Sequence, residues 1–222
     1  MPRFKDCAKV AHAKLRTFFP HIAIGQVQQL LAAALGHSTY ASFKESDAAA
    51  FDGGATSAML APHLAMLRAS AFGVSMSLEH WSLLIEDINS KQVSGSLELH
   101  EHPDLLGCMA RTAFQKVEDP RIVELLAPHG KTESFRQLLR EAMVFEPAVV
   151  DDGGPLPERI VVTLHGEICV FASDHTGWAV PLLLDFAFDR VGRRMYGAPA
   201  LRSVAQQGAP RRCHPSEEFD LE

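Results

Sequence analysis

The chain has 222 residues, of which 47% are hydrophobic and 22% charged, a composition typical of a globular protein with one large domain or two small ones. It has no apolar run long enough to span a bilayer and no secretory signal at its polar N-terminus, so we predict a cytoplasmic protein without a membrane partner. Its four cysteines form no CxxC pair, which argues against a zinc ribbon or a disulfide framework.

Positive charge is concentrated in two segments of a chain whose net charge is −6. Residues 1–47 contain six Lys or Arg and three acidic residues, and residues 190–212 contain six arginines and no acidic residue. This distribution indicates localised contacts with anions and not a surface coated for nucleic acid.

The N-terminal segment predicts three short helices that share one apolar core. The first ends at Pro20, since proline disfavours helix in the residue before it. The second ends at Gly36, because glycine accepts the left-handed backbone of a helix end, and Ser38 is the predicted cap of the third. The apolar positions recur at helical spacing; they are Phe4, Ala8, Ala11, Leu15, Phe18, Val27, Leu30, Leu31, Ala34, Leu35, Tyr40 and Phe43.

Further helices are predicted between residues 55 and 146. A DGG turn at residues 52–54 precedes them, and Ser77 caps a helix that buries Trp81. Residues 89–99 form a polar loop with a short edge strand, and residues 103–146 are helical. The first of these helices is marked by Leu60, Leu64, Leu67 and Ala71, and the last by Phe135, Leu138, Leu139 and Ala142.

The composition changes at residues 147–158, where prolines and glycines indicate a linker or wide loop. Two strands, 159–164 and 167–171, then form a hairpin, and the alternation at 184–188 predicts a third strand. We therefore predict an α+β fold with a helical N-terminal two-thirds, a helix-turn-helix-like segment and a small antiparallel β-meander near the C-terminus. The predicted domains are a helical accessory domain at 1–47, a helical region at 55–146, a β-meander region with an arginine-rich end at 155–205 and a loose tail at 206–222.

The text FKDCAKVAHAKLR, followed by IAIGQVQQLLAAALGHSTYASF, resembles the small helical domain at the front of many bacterial proteins related to the glyoxalase superfamily. The family pattern places an Ala-x-x-x-Gly stretch before an aromatic, and the matching positions are Ala32, Gly36, Tyr40 and Phe43. Tyr40 replaces the usual tryptophan, and Gln29 stands where a glutamate is expected. The resemblance covers about the first fifth of the chain and implies a bacterial accessory domain. It does not imply glyoxalase chemistry, because no paired βαβββ modules follow.

The same segment resembles a helix-turn-helix, whose second helix enters the major groove of DNA. Its polar face would offer no arginine for guanine and no Asn or Gln for adenine, so base reading would be weak. The candidate nucleic-acid contacts are Lys5, Lys9, Arg16, Lys44, Arg193, Arg194 and Arg202. The alternative is a packing module with an incidental polar surface.

His100 and His102 are candidates for metal binding. On a strand, residues two apart point to the same side, as two ligands of one metal must. The candidate third ligand of such a divalent-metal site is His165, with Glu167 as the alternative. The alternative is an exposed polar corner before a helix, and on that interpretation the protein has no cofactor.

The leading functional hypothesis is a bacterial, non-catalytic accessory or regulatory module that binds a protein or small-molecule partner. No catalytic residue is assigned, because the adjacent Ser173, Asp174 and His175 do not make a triad, whose members meet from separate segments. The two alternatives are a nucleic-acid-binding protein that uses the helix-turn-helix-like face and the arginine run, and a metal-dependent enzyme that uses His100, His102 and His165.

Overall fold

The computed structural model describes residues 3–91, 97–114, 119–138, 144–146, 154–171 and 176–213. The chain divides into two compact units, each assembled from three stretches of sequence. The first unit contains Met1–Cys108, Ala148–Arg159 and Asp189–Ala198, and the second contains Met109–Pro147, Ile160–Phe188 and Pro199–Glu222. The sequence-based division into consecutive domains stays a prediction.

Helices dominate the first half of the chain and strands the second half. The α-helices are α1 (Arg3–Leu15), α2 (Ile24–Ala34), α3 (Tyr40–Ser46), α4 (Pro62–Ala71), α5 (Leu78–Ser90), α6 (His102–Phe114) and α7 (Pro120–Leu126), with a π-helical turn at Ala50–Gly54 and a 3-10 turn at Ala127–His129. The strands are β1 (Ser57–Met59), β2 (Glu98–His100), β3 (Lys131–Leu138), β4 (Val144–Glu146), β5 (Arg159–Phe171), β6 (Gly177–Gly192), β7 (Met195–Tyr196), β8 (Ala200–Gln206) and β9 (Arg211–Cys213).

Three helices form in the N-terminal segment, as the sequence predicts, but α1 ends at Leu15 and not at Pro20, and Phe18, predicted on its apolar face, is 38% exposed. Gly36 has a φ of 83°, and the N–H groups of Gly36 and His37 donate to the carbonyls of Ala33 and Ala32, which ends α2 in a left-handed cap. The cap of α3 differs from the prediction: Thr39, and not Ser38, accepts the Ser42 N–H at 3.0 Å.

The core of the first unit is built from the inner faces of these helices. The Phe4 ring lies 4.3 Å from the Phe43 ring and 5.4 Å from the Phe51 ring, centroid to centroid. Trp81 on α5 is completely buried, as the sequence indicates. Among the described residues, none of the helices combines the length and the apolar character that crossing a bilayer requires.

The predicted fold is wrong in its architecture, although both helices and strands are present. The N-terminal two-thirds is not wholly helical, because β1 and β2 pair in parallel within it. The β-region is not a three-stranded antiparallel meander, because the described residues contain nine strands. In the first unit the order is β2-β1-β7, with β7 pairing the end of β6; in the second unit β3 and β4 pair with β5, and β8 and β9 pair with β6.

Residues 131–138, predicted as helical, form strand β3 instead. This segment pairs antiparallel with β5, so a partner distant in sequence overrides the local helical spacing. Leu139 and Ala142 lie outside the described residues. The hairpin predicted at residues 165 and 166 is also wrong, because β5 is continuous there: His165 is exposed and Gly166 buried, in step with the alternation along the strand.

The helix predicted around Leu60 begins two residues later than that leucine. Leu60 is buried just after β1, and α4 begins at Pro62, which suits the first turn of a helix. Leu67, predicted on the buried stripe of this helix, is 68% exposed. The inward face of α4 is carried by Ala65 and Ala69 instead.

Replacement of Leu31 by alanine tests the packing of α2. The side chain is 4% exposed, so its loss removes buried apolar area and leaves a cavity, and we expect a cost of roughly 2–5 kcal/mol in the free energy of unfolding. Leu67→Ala is the matched control, expected to change that free energy by no more than about 0.5 kcal/mol. Urea denaturation measures both, and equal effects would show that α2 does not bury this face.

Candidate functional site

An open cleft of about 450 Å³ lies in the first unit, where the end of α2 meets α4. It has an apolar side and a basic side, and no acidic residue is among the described residues that line it. The lining residues are Ala33, Gly36, His37, Ser38, Leu64, Leu67, Arg68, Ala71 and Arg193.

The end of α2 shapes this cleft. The Ala61 N–H donates to the carbonyl of Ala34 at 2.8 Å, which fixes the start of α4 against α2. Gly36 is needed here for two reasons. Its positive φ favours glycine, and a Cβ at this position would lie 2.9 Å from Nε of Arg193. Glycine therefore lets the Arg193 side chain cross the end of α2 and reach the cleft.

A buried pair of polar side chains lies behind the basic side. His37 Nε2 and Asp47 Oδ2 are 3.0 Å apart, and both side chains are buried. The same Asp47 oxygen accepts the backbone N–H of Arg193 at 2.6 Å. Asp47 thus joins the end of α3 to the turn between β6 and β7, and it holds the backbone of Arg193 in place.

The pKa of Asp47 reflects these contacts. Burial acts to raise the pKa of this carboxyl, but the hydrogen bonds with His37 and with the backbone N–H of Arg193 outweigh it and hold the pKa below the ordinary value. Asp47 is therefore a charged group whose oxygen faces two donors and not the cleft. His37 also lines the cleft, and its Nδ1 makes no hydrogen bond with any residue that the structure describes.

Two guanidinium groups reach the cleft. Arg68 donates through Nη2 to the carbonyl of Ser38, which uses one of its five N–H donors. The Arg193 side chain is exposed, and within the described part of the chain it forms neither a hydrogen bond nor an ion pair. Arg193 is thus anchored by its backbone, and its charged group stays available for a ligand.

A second cluster joins β2 to α6. Glu98 Oε2 lies 2.8 Å from the Sγ of Cys108 and 3.3 Å from Nε2 of His100. The three donor atoms lie within 4.8 Å of one another. His100 and Cys108 are buried, whereas the side chain of Glu98 is 58% exposed.

The predicted nucleic-acid contacts have different surroundings. Lys5, Arg16 and Lys44 are exposed in the first unit, and Lys9 is exposed but pairs with Asp6 at 2.8 Å. Arg202 is exposed on β8 of the second unit.

The two adjacent arginines of this set have opposite positions. Arg193 reaches the cleft, whereas Arg194 is completely buried and donates to the carbonyls of Met59 and Gly154 at 2.9 Å each. Of the predicted set, the structure therefore places only Arg193 in the cleft.

The predicted metal ligands have different surroundings. His100 is in the second cluster, together with Glu98 and Cys108, which the sequence did not single out. His102 begins α6, and its side chain lies outside the described residues. His165 is exposed on β5 in the second unit. The one available signal was the two-residue spacing of Glu98 and His100, which places both side chains on one side of a strand.

Sequence reasoning missed two residues of this region as functional: Arg68, which lines the cleft, and Asp47, which lies behind it. Asp47 and the Arg193 backbone are 146 residues apart, so no local spacing connects them. No family model matches the chain, and neither a curated protein nor a solved structure matches it. The resemblance of the N-terminal segment to a glyoxalase-related helical domain stays a prediction.

Proposed function

We propose that the protein is a non-catalytic bacterial module of the cytoplasm that binds a small organic anion in the cleft of the first unit. The observation that carries this proposal is the exposed guanidinium of Arg193, which is anchored through its backbone and faces a cleft without an acidic lining residue among those described. The ligand we expect is a carboxylate or phosphate with a short apolar part.

The positive charge of the two arginines in the cleft supports a ligand with an anionic head group. Arginine presents a planar fork of N–H donors that matches carboxylate and phosphate oxygens, and such charged hydrogen bonds are stronger than neutral ones. Arg68 retains donors beyond the one given to Ser38, and Arg193 retains all of its side-chain donors. The negative charge of Asp47 is offset by its own hydrogen bonds, so it opposes anion binding only weakly.

The apolar side of the cleft can contact an apolar part of the ligand. Leu64, Leu67 and Ala71 of α4 line it together with Ala33 of α2. Leu67 is 68% exposed, so its side chain is accessible to a ligand in the cleft. The cleft volume of about 450 Å³ falls in the range of roughly 300–1,000 Å³ typical of small-molecule sites.

The geometry favours binding over catalysis. Ser38 is the hydroxyl residue of the lining, and an activated serine must lie within hydrogen-bonding reach of its base. The Ser38 hydroxyl makes no such bond with His37 in the described structure. The cytoplasmic part of the proposal rests on Cys7, Cys108 and Cys169, which are buried and form no disulfide bond, as expected in a reducing compartment.

Calorimetric titration with inorganic phosphate, butyl phosphate and pentanoate tests this function. Each methylene buried against Leu67 contributes about 0.8 kcal/mol, so butyl phosphate should bind about fourfold more tightly than inorganic phosphate for each buried CH₂. In Arg193→Gln the lost charged hydrogen bonds should weaken binding roughly 10- to 150-fold. Comparison of the two butyl-sized ligands shows which head group the arginines prefer.

Arg202→Gln is the matched control, because Arg202 is an exposed arginine that belongs to the second unit. It should bind all three ligands as the unchanged protein does. Equal binding by Arg193→Gln and the unchanged protein would contradict the proposal. Titration with duplex DNA tests the nucleic-acid alternative. That alternative requires the logarithm of the binding constant to fall with the logarithm of the salt concentration, with a slope of about −0.9 for each phosphate contact.

A further inference from the structure

The Glu98, His100 and Cys108 cluster unites three different donor types outside the cleft. Glu98 and His100 are two residues apart on β2, and Cys108 extends from α6 to meet them. We propose that these three side chains bind one transition-metal ion, with Zn²⁺ as the best match. This inference is independent of the proposed anion ligand.

The separations of the donor atoms suit a tetrahedral ion. Zinc bonds of about 2.0–2.1 Å to nitrogen and oxygen require an N···O separation of about 3.4 Å, and the distance between His100 Nε2 and Glu98 Oε2 is 3.3 Å. A Zn–S bond of about 2.3 Å requires about 3.6 Å between Cys108 Sγ and Glu98 Oε2. That distance is 2.8 Å with the proton in place. Rotation of the largely exposed Glu98 side chain supplies the difference.

The chemistry of the donors selects the ion. Thiolate and imidazole ligands favour zinc over calcium or magnesium, which prefer sets of oxygen atoms. On binding, Zn²⁺ displaces the thiol proton of Cys108 to solvent, so a Zn–S bond replaces the S–H bond and one proton is released. Three protein ligands leave a fourth position, which water or a ligand fills in open zinc sites.

The fold holds the three donors in place before an ion arrives. Asn89 of α5 donates to the carbonyl of Leu99 at 2.9 Å and accepts the Leu99 N–H at 3.3 Å, which fixes the middle of β2. β2 is also paired in parallel with β1. His100 and Cys108 are buried while Glu98 is largely exposed, so the ion enters from the Glu98 side. The sequence prediction of a metal ligand at His100 is kept here, with different partners.

Titration of the chelator-treated full chain with Co²⁺ tests the proposal. A tetrahedral site with one thiolate should show one equivalent of Co²⁺, intense visible d–d bands and a near-ultraviolet charge-transfer band from sulfur to cobalt, and one equivalent of Zn²⁺ should abolish all of them. Cys108→Ala should lose the charge-transfer band. Cys7→Ala is the matched control, because Cys7 is another buried cysteine of the first unit, and it should keep the band.

Glu98→Gln tests the site even if Cys108→Ala fails to fold, because this substitution keeps the shape of a largely exposed side chain. It should fold as the unchanged protein does, keep the charge-transfer band, and bind Co²⁺ more weakly with altered d–d bands. The proposal is overturned if the unchanged protein shows no charge-transfer band, if Cys108→Ala keeps it, or if Glu98→Gln binds Co²⁺ with unchanged affinity and spectrum.

Discussion

Replacement of Asp47 by asparagine should destabilise the first unit by about 1.5–3 kcal/mol at neutral pH, the usual contribution of a hydrogen bond to a charged group. The substitution leaves His37 and the Arg193 backbone N–H without the carboxylate that both contact. Urea denaturation at pH 7 measures the change in the free energy of unfolding. Asp6→Asn is the control, since the Asp6 pair with Lys9 lies in solvent, which screens it, and its removal should have little effect.

The pH dependence of the Asp47 effect has a defined sign. The pKa of Asp47 in the folded protein lies below its ordinary value of 3.8, so the charged carboxylate stabilises the fold above that pH. The contribution is lost as the pH falls through the folded-state pKa, because the carboxyl then takes up a proton in both states. The stability difference between the unchanged protein and Asp47→Asn should therefore be full at pH 7 and shrink below pH 3.8. A difference that grows in acid would contradict the assignment.

Replacement of Arg194 by alanine should cost roughly 2–6 kcal/mol in the free energy of unfolding. The guanidinium donates to the carbonyl of Met59, which is buried, and to that of Gly154, which is half-buried. An acceptor left without its donor in the interior costs roughly 1–3 kcal/mol. The adjacent Arg193→Ala is the matched control. It removes an exposed side chain and keeps the backbone N–H that Asp47 binds, so the free energy of unfolding should change little.

The same two variants separate stability from binding. Thermal and urea unfolding should be sensitive to Arg194→Ala and not to Arg193→Ala, whereas titration with butyl phosphate should be sensitive to Arg193→Ala. If Arg194→Ala unfolds like the unchanged protein, the buried position of its guanidinium is wrong. If Arg193→Ala keeps full affinity, the cleft does not bind anions through this arginine.

Sequence reasoning succeeded where the determinants are local. The end of α2 at Gly36 is encoded within a few residues, by an apolar stripe at helical spacing and a glycine that accepts a positive φ. The burial of Leu31 and Phe43 follows from the same spacing. Strand β3 was predicted as helix because its pattern of apolar residues fits a helical period, while the pairing with β5 that makes it a strand is not visible in a local window.

The candidate site depends on contacts that the spacing of residues in the sequence does not predict. Arg193 and Arg194 are adjacent and chemically identical. The backbone of the turn between β6 and β7 directs the Arg193 side chain to the cleft and the Arg194 side chain to the interior. His37 belongs to the helix-turn-helix-like segment, and nothing in that local sequence predicts its contact with Asp47. Its role depends on Asp47, which itself depends on the distant backbone N–H of Arg193.

The most direct test of anion binding in the cleft is a titration of ¹⁵N-labelled protein with butyl phosphate, followed through the arginine Nε–Hε resonances in NMR spectra. We predict saturable shifts of the Arg68 and Arg193 resonances at a common affinity, with Arg16 and Arg202 unchanged, because only the first two line the cleft. Resonances of Arg68 and Arg193 that stay in place at saturating ligand, or that move no more than those of Arg16 and Arg202, would contradict the proposed function.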